Sequence, residues 1–481
     1  MSEIKNKTAK GLAWGGIISL LQQVLGLVFS ITIARILSPS DYGMVGLLSI
    51  FTAMATVLQE SGFVFVLTNR PSISKSEYSS VFWFNVSMSF AVYLILYASA
   101  PLLASYYGKE ELVSLSRYVF LGFFISSFGI IQSAYLYRQM KVKEKGVAII
   151  ISILFSGIIG IILAKQGYAY WGLASQGLFS SLISTIILWL YSPFRPLLTL
   201  DSKFLKQLLP DGIKFALPNF VSVISANIYS VILGKLYTVV DVGFYSQGNK
   251  LNTYGYSTTL GMLRNVSQPM LIQVRNDREA TLHAFRKLVR FTAFVSFPTM
   301  FSLALVAPEL IEIVLTPKWL PSAYLLRILC AGGAFTALST LFTYYIVSQN
   351  KSSLYMWLGV GHSLVSIVMA VIASFGGVVS LAYACSAFNV LGVVVYYLTT
   401  KKMLGYSLKM LASDIFPILS VAFAIIIGTY LLTSGIENIY YLILAKITIV
   451  CILFVFTMQL MHFDIYMEIK EIVKTKLIHK S

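Results

Sequence analysis

Charged residues make up only 11% of these 481 residues, where a soluble domain carries about 25%. So few charges cannot cover a water-facing surface, which excludes an ordinary soluble fold. Cysteine is nearly absent: Cys330, Cys385 and Cys451 stand singly inside apolar runs, with neither paired spacing nor a histidine partner. No disulfide framework and no metal site follow from them. The phosphate-cradling G-x-x-x-x-G-K-[ST] loop is missing, so ATP hydrolysis by this chain is not expected, nor is any cofactor. No segment between apolar runs exceeds about 25 residues once about 20 are assigned to each membrane span. That leaves no room for a soluble catalytic domain, and the chain is not expected to be an enzyme.

What is present is apolar length, with 57% of the residues hydrophobic. By the criterion of about 20 apolar residues per span, about fourteen helices are expected. They fall near 11–33, 42–66, 80–104, 113–137, 147–164, 169–191, 212–234, 249–273, 291–315, 322–348, 353–374, 377–399, 410–433 and 439–462. Lys5, Lys7 and Lys10 before the first run resemble a signal peptide. The run continues without an A-x-A-like cleavage site, so a retained first helix is expected.

The formal net charge of +17 would suggest nucleic acid in a soluble chain. Here about 26 of the Lys and Arg fall on one side of the spans and about six on the other, the asymmetry of a positive-inside protein with both termini cytoplasmic. It accounts for most of the charge, and no nucleic acid partner is expected. DSKFLKQLL and EATLHAFRKLVRF, within 192–211 and 274–290, put apolar residues at helical spacing opposite basic ones. Helices on the inner membrane surface, or solvated connectors, would both look so.

One short segment is said twice. ARILSPSDYG at 34–43 and GKLYTVVDVG at 234–243 align without a gap, pairing Arg35 with Lys235, Ser38 with Thr238, Asp41 with Asp241 and Gly43 with Gly243. The first lies outside between spans 1 and 2, the second outside between spans 7 and 8. An even number of spans separates them, so the halves are expected to be parallel repeats about an axis along the membrane normal. Arg35, Asp41, Lys235 and Asp241 are gate candidates; a helix cap with a nearby ion pair is the alternative reading of Arg35 and Asp41.

ARILSPSDYGMVGLLSIFTAM, ESGFVFVLTNRPSISKSEYSSVFWFNV, FLKQLLPDGIKFALPNFVSVISANIYSVILGKLY and KWLPSAYLLRIL at 318–329 together resemble the polysaccharide flippases of the multidrug/oligosaccharidyl-lipid/polysaccharide exporter superfamily. The resemblance covers nearly the whole chain. It implies an all-α polytopic membrane protein with two parallel six-helix bundles around a central cavity, plus two extra C-terminal helices. On that pattern the chain divides as 1–205, 206–402 and 403–481. The resemblance also implies export of an undecaprenyl-diphosphate-linked oligosaccharide across a bacterial inner membrane. Membrane lipid, a polysaccharide polymerase and export machinery are candidate partners. Where relatives often carry Asp followed by Arg, this chain has Tyr229 and Ser230, so a role attached to that acid does not transfer.

Intramembrane charges are functional candidates by default. Arg264, mid-span among Asn252, Asn265, Ser267 and Gln268, is the leading candidate for the diphosphate. Arg117, Arg327 and Lys446 are each divided between cavity and inter-helix pairing. Lys214 stands at the inner entrance of span 7, and Asn219, Asn227, Gln22 and Gln23 could bond sugar hydroxyls or other helices. Glu60 and Asp414 are candidates for ion coupling or for neutralising an arginine, and His362 for proton handling or packing. Pro218, Pro269, Pro298 and Pro417 are candidate bending points. Two other functions share these features: a multidrug/cation antiporter of the same fold, expected to have about twelve helices and a more acidic cavity, and a polytopic polysaccharide polymerase or ligase, which would need a large outer loop.

Overall fold

The computed structural model describes the backbone of residues 2–60, 73–461 and 466–467; the side chains of 2–13, 16, 17, 60, 208–216, 218, 264–266, 268, 269 and 352 lie outside that description. Among the described residues the chain is helical throughout, without strands. The helices are α1 (Ser2–Ile36), α2 (Pro39–Gly46), α3 (Ser49–Glu60), α4 (Lys75–Tyr107), α5 (Leu112–Arg138), α6 (Val142–Lys165), α7 (Tyr170–Tyr191) and α8 (Ser202–Leu236), followed by α9 (Val239–Val274), α10 (Arg278–Leu315), α11 (Leu320–Ser348), α12 (Ser352–Ala373), α13 (Gly377–Leu404), α14 (Leu408–Leu432) and α15 (Ile439–Leu460).

Among the described residues, 12 segments are long and apolar enough to cross a membrane. One of them, Ser353–Leu404, contains both α12 and α13, joined by a short 3-10 turn. The polar α9 is not among the 12, in keeping with its Asn-, Thr-, Ser- and Gln-rich sequence. A chain in hydrocarbon must satisfy its backbone internally, which leaves helices or a closed barrel, and apolar runs of about 20 residues suit helices. The expected span 42–66 begins earlier and is interrupted: α2 and α3 are separated at Leu47–Leu48, where Ser49 Oγ donates to the Gly46 carbonyl at 2.7 Å. Such side-chain bonding to a nearby carbonyl competes with the helical ladder. The end of that expected span, 61–66, lies outside the described residues.

Two compact units share the chain, Met1–Gly243 and Phe244–Ser481. The first has an aromatic core of Tyr78, Phe82 and Phe194 with Phe204, against which Trp83, Phe128, Tyr135 and Trp189 pack. In the second, Phe285 meets Phe342, Tyr345 and Tyr406 at ring separations of 5.3, 5.3 and 5.4 Å. A separate cluster of Leu305, Ile425 and Val450 packs α10 against α14 and α15. The basic stretch around 278–290 is the first part of α10 itself, not a separate surface helix. At 38 residues, α10 is about 57 Å long, far more than the roughly 30 Å hydrocarbon thickness.

Candidate functional site

The repeated decapeptides fold into the same device. Ser38 caps α2, its Oγ accepting from the Asp41 N–H at 3.2 Å. Asp41 Oδ2 in turn accepts from the Ser38 N–H at 2.8 Å and from its hydroxyl at 2.6 Å. Thr238 and Asp241 reproduce all three bonds at 3.2, 3.0 and 2.6 Å at the start of α9. Each is a reciprocal capping box that satisfies otherwise orphaned helix donors, and this accounts for both aspartates. The two helix starts also cross. A Cβ on Gly43 would collide with the Val239 carbonyl, and one on Gly243 with the Pro39 carbonyl. Each glycine meets the carbonyl four residues before the other glycine, so the crossing is locally self-complementary, as across a two-fold axis. Arg35 is exposed on the last turn of α1. Its counterpart Lys235 donates to the Tyr106 carbonyl at 2.7 Å and lies 4.4 Å from that ring.

A second device repeats in both units. Pro101 lies inside α4 and Pro308 inside α10. A proline has no N–H and so frees the carbonyl four residues earlier, here Tyr97 and Ala304. Those are the carbonyls that two intramembrane arginines meet. Arg117 Nε donates to Tyr97 O at 3.4 Å, with its guanidinium 4.2 Å from the Tyr97 ring. Arg327 Nε donates to Ala304 O at 3.3 Å. In each unit an arginine on the following helix thus satisfies the carbonyl that a proline released.

This arrangement predicts non-additive mutations. Arg117→Leu leaves the Tyr97 carbonyl without a donor, a loss of about 1–3 kcal/mol. Pro101→Ala restores the helical donor, so Pro101→Ala with Arg117→Leu should be more stable than Arg117→Leu alone. Thermal melting of the purified proteins in detergent reads the difference. A double variant no better than the single one would disconnect the arginine from the proline.

The two charged pairs in the second unit are structural in geometry. Asp414, 2% exposed, takes both Nε and Nη2 of Arg286 at 2.9 and 2.8 Å, lies 3.2 Å from Arg290 Nε, and accepts from the Tyr406 hydroxyl at 3.0 Å. Burial first, then the Asp414 charge, push the Tyr406 phenol above its usual range, so it stays protonated and donates. Lys446 on α15 pairs with Glu309 on α10 at 2.6 Å, both buried.

The remaining candidates are dispersed. Asn227 donates to the Val223 carbonyl at 2.9 Å within α8 and accepts weakly from Ser49 at 3.5 Å. Asn219 and Gln22 are exposed. His362 stacks on Phe388 with ring centroids 3.9 Å apart, and its Nε2 has no hydrogen-bond partner among the described residues. Of the prolines expected to bend helices, Pro298 and Pro417 lie inside α10 and α14. The side chains of Arg264, Lys214, Glu60, Pro218, Asn265, Gln268 and Pro269 lie outside the described residues. Sequence reasoning overlooked Pro101, Pro308 and Glu309; a proline in an apolar run followed by an arginine in the next run was the available signal.

The polysaccharide biosynthesis protein family matches residues 32–324, more than half of the chain. The chain belongs to that family. A relative, the teichuronic acid biosynthesis protein TuaB of Bacillus subtilis (strain 168), is 21% identical over 441 residues, 91% of this chain and 90% of TuaB. Among solved structures, the lipid II flippase MurJ in an inward closed conformation superposes with a TM-score of 0.78 at 16% identity, over 94% of this chain and 99% of MurJ. An inward-facing multidrug resistance MATE transporter of the MOP superfamily superposes with a TM-score of 0.65 at 16% identity, over 80% of this chain and 94% of the transporter. This family member therefore has the all-α, multi-pass membrane fold of that superfamily, and the capping boxes and proline–arginine pairs lie within that fold.

Proposed function

We propose that the protein is a flippase that moves an undecaprenyl-diphosphate-linked oligosaccharide from the inner to the outer leaflet of a bacterial inner membrane. It works by alternating access, coupled to an ion or to the membrane potential. Membership of the polysaccharide biosynthesis family carries this reading, and likeness of fold to a lipid II flippase supports it. About fourteen spans with both termini inside complete it. An anionic diphosphate cannot cross hydrocarbon unaided, so the path must offer cations. With Arg117 and Arg327 donating to freed carbonyls and Lys446 paired with Glu309, Arg264 is the residue we assign to the diphosphate. A guanidinium holds phosphate oxygens bidentately and stays charged at physiological pH.

In a strain deleted for the gene, Arg264→Ala should abolish surface polysaccharide while the protein remains in the membrane. Arg264→Lys should retain partial export, since a point cation still attracts the head group. Surface polysaccharide and membrane-inserted protein are measured together. Normal export from a well-inserted alanine variant removes Arg264 from the path, and normal polysaccharide in the deletion strain removes the function. The MATE likeness keeps a multidrug/cation antiporter as the second reading; drug resistance that follows the gene while polysaccharide does not would favour it.

A further inference from the structure

The connection between α7 and α8, residues 192–201, is an extended strap, and DSKFLKQLL after it is the start of α8 itself. Three polar groups on α4 hold it. Ser79 Oγ accepts from the Leu197 N–H at 2.9 Å, Trp83 Nε1 donates to the Leu197 carbonyl at 2.8 Å, and Ser80 Oγ accepts from the Asp201 N–H at 2.7 Å. Phe194 before this clamp and Phe204 and Leu205 after it are buried in the aromatic core. With its backbone fastened and its inward side chains seated, the strap cannot turn over. Its other face is consequently fixed outward, and that face is leucine: Leu197, Leu198 and Leu200 are 41%, 90% and 64% exposed. Beside them Lys203 and Lys206 on the first turns of α8, and Lys75 at the start of α4, are exposed as well.

We propose that this strap is an interfacial anchor for an anionic leaflet, with Leu198 and Leu200 at the acyl boundary and Lys203, Lys206 and Lys75 on lipid phosphates. Leucines held rigidly outward between lysines match the two layers of that interface, apolar below and anionic above. The strap directly follows the apolar span Tyr170–Tyr191, so its start lies near the end of that span. The anchor would tie the connection between the sixth and seventh spans to the membrane, so that neither helix end shifts in depth independently. Its assignment to the inner leaflet rests on the orientation proposed above.

The test attaches a nitroxide to Leu198→Cys in a background with Cys385→Ser and Cys451→Ser, since Cys451 is exposed, Cys385 half-buried and Cys330 buried. The full-length protein is reconstituted in phosphatidylcholine vesicles with and without phosphatidylglycerol. Collision with oxygen should exceed collision with a water-soluble nickel chelate several-fold when phosphatidylglycerol is present. Lys203→Gln with Lys206→Gln should reduce that preference. A label that meets the aqueous chelate freely in phosphatidylglycerol vesicles overturns the anchor and leaves the leucines to a protein partner. Orientation is read separately, by an impermeant thiol reagent on right-side-out membrane vesicles carrying Lys206→Cys. A lipid-buried label together with Lys206→Cys reacting from outside keeps the anchor and overturns the inner-leaflet reading alone.

Discussion

Gly43→Ala and Gly243→Ala should each lower the melting temperature of the purified protein by several degrees, and the two together should cost little more than either one. Each new methyl points at a main-chain carbonyl, Val239 or Pro39, which cannot rotate away as a side-chain end could. Overpacking of this kind costs about 1–3 kcal/mol. Non-additivity follows from the self-complementary geometry. One separation of the two helix starts relieves both clashes, and sites sharing a displacement do not add. Export should fall further than stability in both single variants. On the orientation and alternating-access cycle proposed above, this crossing would form on the outer side when that side is closed, and a spacer there opposes closure. Differential scanning fluorimetry and surface polysaccharide are the two readouts. Alanine variants that melt like the parent show that the helix starts part without cost. An additive double variant shows two independent contacts instead of one crossing.

Much of this was legible in the sequence because it concerns what sequence encodes locally. Apolar runs of spanning length, Ser38 and Thr238 three residues before an aspartate, and a repeated glycine all report on their own neighbourhood. The capping reading of Asp41 could be made from spacing alone, and the hydrogen bonds show it. The crossing of Gly43 with Val239 could not, because it joins residues far apart in the chain. The partners of the arginines were hidden for a different reason. Arg117 was left between cavity and inter-helix pairing because the acceptor it meets is a backbone carbonyl, freed by a proline on the preceding helix, and carbonyls have no letter in a sequence. DSKFLKQLL was expected to be helical from its periodicity, and it is the first part of α8 instead of a separate surface helix. The strap before it is held by Ser79, Ser80 and Trp83 on α4, contacts from far along the chain that local spacing does not report. Asp414 was left between coupling and neutralising an arginine; it lies against two, Arg286 and Arg290.

Lys446→Met and Glu309→Leu should each deplete folded protein in the membrane, and combining them should restore it. The pair is buried at 3% and 7% exposure, with Nζ and Oε1 2.6 Å apart and Nζ also 3.4 Å from the Leu305 carbonyl. Removing one partner strands the other charge in hydrocarbon, at about 3–5 kcal/mol. Replacing both with apolar residues of similar size removes the desolvation cost together with the attraction, an exchange that is often neutral or stabilising. Leu305, Ile425 and Val450 already pack α10 against α14 and α15 beside the pair, so methionine and leucine enter an apolar seam. At the other end of α10, the Arg286 and Arg290 contacts to Asp414 tie α14 to the same helix. The C-terminal hairpin is therefore pinned to α10 by a cation near one end and an anion near the other. Such a hairpin should move with α10 as one piece. Membrane abundance and surface polysaccharide, followed across the wild type, both single variants and the double, decide the role. Recovery of both in the double variant makes the pair a structural pin. Recovery of abundance without export would place Lys446 or Glu309 in the transport chemistry itself, and single variants of normal abundance would show that the pair contributes nothing to holding the hairpin.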